Sequence, residues 1–268
     1  LKEASMEFIN YVNIHVFCPA LVFSALILKP ISISTSWPLI VGGILIILLP
    51  GVLLAPIRLP RFNHRAFLVS GMFRNTGNIG IPLAVLAYGT ENLSDIIILF
   101  VIANSLHFSL GLFLLSNDSN RWLWLHNPNI WAAFLGISLA HHTHLLPSFV
   151  LTSTEMLGQV TIPMMLFSLG VRLSQDRIEH IAVALKVNLL YLLTGAIAVV
   201  IIIWLLPLTP DWQRLLILAA FLPPAVLNFM LCEHYQASPN QVASVVLLGT
   251  LMAIGAIPFA IWLSLRFI

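Results

Sequence analysis

The chain has 268 residues, of which 59% are hydrophobic and only 8% charged, and its mean hydropathy of +0.99 lies far outside the range of a soluble domain. A net charge of +2, spread over scattered basic residues, offers no nucleic-acid surface. The two cysteines, Cys18 and Cys232, lie in apolar stretches, which excludes a disulfide framework and a zinc site; what remains is a polytopic all-α protein of the lipid bilayer.

Apolar runs and their punctuation predict nine spans in chain order. They are Met6 to Leu28, Trp37 to Ile57, Ala66 to Gly89, Leu93 to Ser116, Pro128 to His144, Phe149 to Leu173, Ile181 to Leu206, Asp211 to Tyr235 and Pro239 to Phe267. The connections are short, and no stretch is large enough for a soluble domain. The first span is too long and too polar for a cleavable signal core. Residues 117–127 form the longest polar connector, dividing the chain into a first part, 1–116, and a second, 128–268.

Basic residues gather at alternate span ends: Lys2, then Arg58, Arg61 and Arg65, then Arg121, then Arg172, Arg177 and Lys186 on one side, against Lys29, Arg214 and Arg266 on the other. Positive charge favours the cytoplasmic face. The expectation is therefore a multi-pass protein of the cell's inner membrane, with the N-terminus of this chain cytoplasmic and its C-terminus external. The tryptophans agree, because all fall near predicted span ends, where an amphipathic ring suits the headgroup region.

The third span carries the most informative stretch, Arg74-Asn75-Thr76-Gly77-Asn78-Ile79-Gly80-Ile81-Pro82. A cation, two amides, two glycines and a proline at mid-depth do not belong in a regular spanning helix. Interrupted backbone is tolerated there only when it is buried in protein or lines a wet cavity. The stretch is read as an unwound crossover between two half-helices, with a packing kink as the plainer alternative.

An internal repeat supports the first reading. Pro19-Ala-Leu-Val-Phe23-Ser24 matches Pro163-Met-Met-Leu-Phe167-Ser168, and aligning Tyr88 with Tyr235 lays Thr76-Gly77 over Pro223-Pro224. Spans one to four then correspond to spans six to nine. Span five has no counterpart, so one further helix is expected ahead of the first span. Five spans per repeat would place the halves in opposite orientations, an inverted five-plus-five repeat with nine of ten spans present.

Three motifs in order, Phe73-Arg-Asn-Thr-Gly-Asn-Ile-Gly-Ile-Pro82, Cys18-Pro-Ala-Leu-Val-Phe-Ser24, and Leu222-Pro-Pro-Ala-Val-Leu-Asn228 through Val242-Ala-Ser-Val-Val-Leu-Leu248, resemble the auxin efflux carrier family in its bacterial, short-loop branch. The resemblance spans nearly the whole chain. It implies a ten-helix inverted-repeat fold, shared broadly with bile-acid sodium symporters, and transport of organic anions such as dicarboxylates, or auxin in plants. The short connector departs from the long hydrophilic loop of many plant members.

The chemistry of the site can be argued from residue types alone. Two broken helices entering from opposite sides bring two helix N-termini to the midplane, where free N–H groups and positive dipole ends favour an anion. Asn75, Thr76, Gly77, Asn78, Pro82, Pro223, Pro224 and Asn228 are the candidate substrate-binding residues. Pro82 is placed in a first helical turn, where its missing N–H costs little, and Pro223 and Pro224 stop the preceding half-helix. Arg74 is a candidate substrate counter-ion or gating charge, with a permanent pair to Glu155 as the alternative. Glu155 is a candidate proton carrier, with salt-bridging as its plainer role. Asn13 and Gln159, placed alike in the two repeats with His15 and Thr161 beside them, are candidate cavity-lining groups or helix-to-helix hydrogen-bonders. Asn104, His107 and Asn188 are read as packing contacts, Glu233 and His234 as interface groups, and His141-His142-x-His144 as a solvated loop.

The reading is a secondary transporter of a small organic anion, working by alternating access. It needs no cofactor; coupling, if any, is to protons or sodium, and a homodimer remains open. The chain has no GxxxxGK[ST] loop for ATP. The alternatives are an intramembrane enzyme acting on a lipid-linked substrate, against which no HExxH or GxSxG stands in the sequence, and a sensor or other non-transporting fragment.

Overall fold

The computed structural model describes residues 8–9, 11–28, 33–115, 128–140, 142–143, 146–175 and 180–268, with side chains left out at 14, 33, 165–166, 168–170 and 172–175. The connector 117–127, Lys2, Lys29, Arg121, Arg177, Trp122, Trp124, His141 and His144 lie outside the described residues, as does the side chain of Ser168. Every element among the described residues is helical. In chain order they are α1 (Cys18–Leu28), α2 (Ile33–Leu54), α3 (His64–Met72), α4 (Ile81–Tyr88), α5 (Leu93–Leu106), α6 (Leu112–Leu115), α7 (Pro128–Leu139), α8 (Ser148–Gln175), α9 (Ile181–Leu205), α10 (Pro210–Phe221), α11 (Val226–His234) and α12 (Pro239–Phe267). Four stretches, 34–54, 90–115, 181–205 and 239–267, are long and apolar enough to cross a bilayer unbroken, and the chain is an all-α polytopic membrane protein.

Among the described residues three short π turns interrupt this pattern: Asn13–Phe17 ahead of α1, Thr76–Gly80 ahead of α4, and His107–Gly111 between α5 and α6. The first two share one cause. Each runs directly into an X-Pro pair, Cys18-Pro19 or Ile81-Pro82, and in each the residue before proline gives its N–H to a carbonyl one step further back than in an α-helix, Cys18 to Asn13 and Ile81 to Thr76. Proline has no N–H and its ring crowds the carbonyl four residues earlier, so widening the preceding turn lets the helix continue. Pro82 is thus the second residue of α4, in its first turn, with the π turn that begins at Thr76 running into it.

The helices sort into two groups by their contacts. The α1 helix packs mainly on α7 and α8, while α9 packs on α2, α10 and α12, and α2 packs on α3, α5 and α10. Contacts also join α1 with α8 and α2 with α9. The π turns Asn13–Phe17 and Thr76–Gly80 both rest on α8, which places the second of them where the two groups adjoin.

Hydrogen bonds at the span ends show that the broken helices run in opposite directions. The Asn63 N–H, just before α3, donates to Ser238 Oγ beyond the end of α11, at 3.0 Å, and Gln241 Nε2 donates to the Arg61 carbonyl at 2.8 Å. At the other face Trp212 Nε1, in the first turn of α10, donates to Asp95 Oδ2 beyond the end of α4, at 3.1 Å. There too the Tyr88 hydroxyl meets Ser264 Oγ at 2.8 Å. The start of each broken helix therefore lies beside the end of the other.

Candidate binding site at the helix crossover

Both helices break in the same way. The α3 helix ends with Phe73 in extended backbone, and α10 ends with Leu222 extended, held open by Pro223 and Pro224. The two extended stretches pair antiparallel, with Arg74 opposite Pro224. The Asn75 N–H donates to the Pro223 carbonyl at 2.8 Å and the Ala225 N–H to the Phe73 carbonyl at 3.0 Å. Backbone groups freed by the breaks thus find partners in each other, which satisfies the demand that lipid places on them.

The bridge sets Arg74 opposite Pro224 in space. The first half inserts the π turn Thr76–Gly80 before α4, while α11 starts directly after Ala225.

Asn75 has two roles. Its Oδ1 accepts from the Asn78 N–H at 3.1 Å, capping the π turn, and its carbonyl accepts from the Gly80 N–H at 3.0 Å. Its Nδ2 is buried and has no partner among the described residues. Thr76 is buried beside it, while Gly77 and Asn78 are half-buried on the turn that faces α8. The other N-terminus, at Ala225, has no side-chain cap. Its first N–H groups are the orphans that any helix start presents.

Asn228 was expected to meet substrate, yet it is fully buried and its Nδ2 donates to the Phe73 carbonyl at 3.0 Å. It ties α11 to the end of α3. Only its Oδ1 remains without a partner among the described residues.

Arg74 departs furthest from expectation. It forms no ion pair with Glu155, which is exposed on α8. Instead the buried guanidinium turns toward α9, where Nη2 donates to the Tyr191 carbonyl at 3.2 Å and the cation lies 4.6 Å from the centre of the Tyr191 ring. The reason lies in α10. Pro224 has no N–H to give the Ala220 carbonyl, so the C-terminal end of α10 keeps unpaired oxygens and the negative end of its dipole. Arg74 Nη2 and the Ala220 oxygen both border the bare face of Gly195. A fixed cation beside that helix end offsets the cost of burying it better than a distant carboxylate would. Tyr191 completes the lock by donating its hydroxyl to the Leu222 carbonyl at 3.0 Å. Arg74 Nε and Nη1 remain without partners among the described residues.

The remaining candidates scatter. Gln159 is exposed on α8. Asn13 is buried in the π turn before α1, its Oδ1 without a partner among the described residues. His15 is exposed, stacked on Tyr11 and bonded through Nδ1 to the Tyr11 carbonyl at 2.9 Å.

Sequence reasoning missed Tyr191, Asn188 and His107 as neighbours of the crossover. Asn188 donates to the Ala184 and Val245 carbonyls at 2.8 and 3.0 Å, tying α9 to α12. Asn188 Oδ1 and Pro224 both border Gly249, close enough that any side chain there would strike them. His107 is buried and stacks flat on Phe73, with ring centres 4.2 Å apart. None of the three belongs to a motif; each is a lone polar or aromatic residue in an apolar helix, which in sequence looks like packing.

A family model described as "Membrane transport protein" matches residues 113–261, from α6 through most of α12 and including the second arm of the crossover. The chain is also 22% identical, over 213 residues, to a protein of Rhizobium meliloti (strain 1021) named "Putative malonate transporter". That match covers 72% of this chain and 65% of the relative's length.

Proposed function

We propose that this chain, which belongs to the membrane transport protein family of auxin efflux carrier-like proteins, is a secondary transporter that carries a small organic anion by alternating access around its two broken helices. One observation carries the reading: Phe73–Asn75 and Pro223–Ala225 pair antiparallel at the point where two oppositely directed helices break. Each side of the pair then holds the N-terminus of one helix against the C-terminal end of the other. Donors for an anion and carbonyl oxygens for a coupling cation lie within one short stretch of backbone.

A carboxylate suits this site. The N-terminus of α11 has no side-chain cap and Asn75 Nδ2 has no partner among the described residues, so both turn donors toward the crossover, and a carboxylate accepts several such bonds at once. The substrate class we infer is a small carboxylate such as malonate, in keeping with the name of the Rhizobium relative. The helix contacts favour a division of labour. The group containing α1, α7 and α8 serves as a support against which the crossover group moves, with the π turn Thr76–Gly80 at the seam. Residues 1–116 and 128–268 are the two repeats of this reading, with 117–127 as the link between them.

Uptake of radiolabelled malonate into proteoliposomes tests the function. The expected result is saturable entry that unlabelled malonate competes away; uptake no faster than in protein-free liposomes would defeat the reading. Orientation in the cell's inner membrane is tested separately. Single cysteines placed between Arg58 and Arg65 should react with an impermeant thiol reagent only from the cytoplasmic side, and cysteines after Trp262 only from outside, because positive residues favour the inner face. The opposite labelling pattern would reverse the assignment of both faces.

A further inference from the structure

We propose that the Arg74 side chain fills, as a tethered cation, the place that a free coupling cation would take at the crossover, so that the site moves its anion without sodium. The inference rests on the transporter reading and assigns its ion dependence.

In transporters built on broken helices, unwound carbonyls and the C-terminal ends of half-helices are the groups that hold a coupling cation. Here α10 supplies them. Pro223 and Pro224 have no N–H, and Ala225 gives its N–H to Phe73, so the carbonyls of Ala219, Ala220 and Phe221 receive none from four residues on. The guanidinium of Arg74 reaches this end. Its Nη2 and the Ala220 oxygen lie 2.5 and 2.6 Å from one point, the position that a Cβ on Gly195 would take. Nη2 donates to the Tyr191 carbonyl at 3.2 Å, and the cation lies 4.6 Å from the centre of the Tyr191 ring, whose face attracts positive charge. Carbonyl oxygens, the negative end of a helix and an aromatic face together form a cage for a monovalent cation, and the missing side chain of Gly195 leaves it room.

No carboxylate cancels the charge from the elements around it. The helices α3, α9 and α12 contain no Asp or Glu. The one acid of α10, Asp211, lies at the opposite end of that helix, paired with Arg214 at 3.0 Å. Neutral dipoles therefore hold the guanidinium, and its positive charge stays available to an anion at the crossover, where Nε and Nη1 have no partner among the described residues.

The cage also belongs to one side of the proposed motion. The α9 helix packs on α2, α10 and α12, and Arg74 is part of the paired stretch that joins the two breaks. A free ion has to be loaded at one face and released at the other. A side chain crosses in both directions, with and without the anion, so no free cation is needed to complete the site.

The test has two arms, and the first needs no substrate. The full chain, as wild type, Arg74→Ala and Arg74→Lys, is melted in detergent in choline, sodium or guanidinium chloride, each at about 100 mM, where even a weak ligand of the folded state registers. The alanine variant is expected to melt below the wild type in choline and to regain at least about 2 °C in guanidinium. The wild type and the lysine variant, whose cages are filled, should gain nothing over choline. An alanine variant that melts alike in all three salts, or a wild type that gains stability in sodium, overturns the proposal. If Arg74→Ala yields no folded protein, Arg74→Lys must still fold, because an ammonium suits the same carbonyls; loss of both overturns the proposal as well. The second arm measures malonate exchange in proteoliposomes with all sodium replaced by choline. The wild-type rate should stay within about threefold of its value in sodium, since no sodium binding energy is coupled to the anion, and a larger fall overturns the proposal. A wild type that moves no malonate in either salt counts against the substrate reading instead, and the melting arm then decides the cation cage alone.

Discussion

Replacing Gly195 with alanine should cost the protein several degrees of melting temperature in detergent, and replacing it with valine should leave little folded material. A Cβ at this position would stand 2.5 Å from Arg74 Nη2 and 2.6 Å from the Ala220 carbonyl oxygen. Real Cβ atoms do not approach so closely. The guanidinium has little room to retreat, because it is wedged between the Tyr191 carbonyl and ring. The Ala220 oxygen is backbone at the end of α10 and moves only if the whole crossover moves. Overpacking of a filled core typically costs about 1–3 kcal/mol, and here the displaced atoms are also polar and buried. Gly255 is the internal control. A Cβ there meets nothing within 4 Å, so Gly255→Ala should be neutral or gain up to about 1 kcal/mol from helix propensity. If Gly195→Ala melts with the wild type, the Arg74–Tyr191–α10 contact is looser than described, and the account of Arg74 as a lock on α9 falls with it.

The architecture was legible in the sequence because each of its causes is local. Apolar length marks the spans, and arginine at mid-depth followed by Asn-Thr-Gly-Asn marks the first break. Pro223-Pro224 marks the second, and both breaks lie where they were expected to within a residue or two. The match of Pro19 to Ser24 with Pro163 to Ser168 suggested a repeat, and the proposed function adopts it. What could not be read is direction. Arg74 was offered an acid at Glu155 as the alternative to a substrate counter-ion, because that carboxylate lies well inside an apolar run, but its hydrogen-bond partner is the Tyr191 carbonyl on α9, with the Tyr191 ring beneath the cation. Asn228 was assigned to substrate because amides at a crossover suggest binding, but a carbonyl at Phe73 takes its donor first. In both cases the partner is a backbone carbonyl, and where carbonyls are presented depends on the three-dimensional packing of the helices rather than on residue types.

The same reasoning separates what holds the crossover from what remains available. Carbonyls at the two breaks are largely claimed: Phe73 by Ala225 and Asn228, Pro223 by Asn75, Leu222 by Tyr191, Tyr191 by Arg74 and Thr194. The unclaimed groups on the crossover are mostly donors, namely Asn75 Nδ2 and Arg74 Nε and Nη1, with the helix start at Ala225 beside them. A buried site with surplus donors is complementary to an anion.

Asn75 is where holding and binding can be pulled apart, and the second large effect is expected there. Asn75→Ala removes both arms of the amide. Losing the cap on the Asn78 N–H should cost about 0.5–2 kcal/mol of stability. Losing Nδ2 should weaken a bound carboxylate by about 1.5–3 kcal/mol, the range for hydrogen bonds to charged groups, or roughly tenfold to more than a hundredfold in affinity. Asn75→Ser separates the two. Serine caps a helix start about as well as asparagine, so Oγ can still accept from Asn78, but the longer amide arm is gone. Malonate affinity should therefore fall about as far in Asn75→Ser as in Asn75→Ala, while the melting temperature of the serine variant stays near the wild type and that of the alanine variant drops. Affinity that follows melting temperature across the pair, weak in Ala and normal in Ser, would mean that Asn75 only shapes the turn and that the anion is held by other groups.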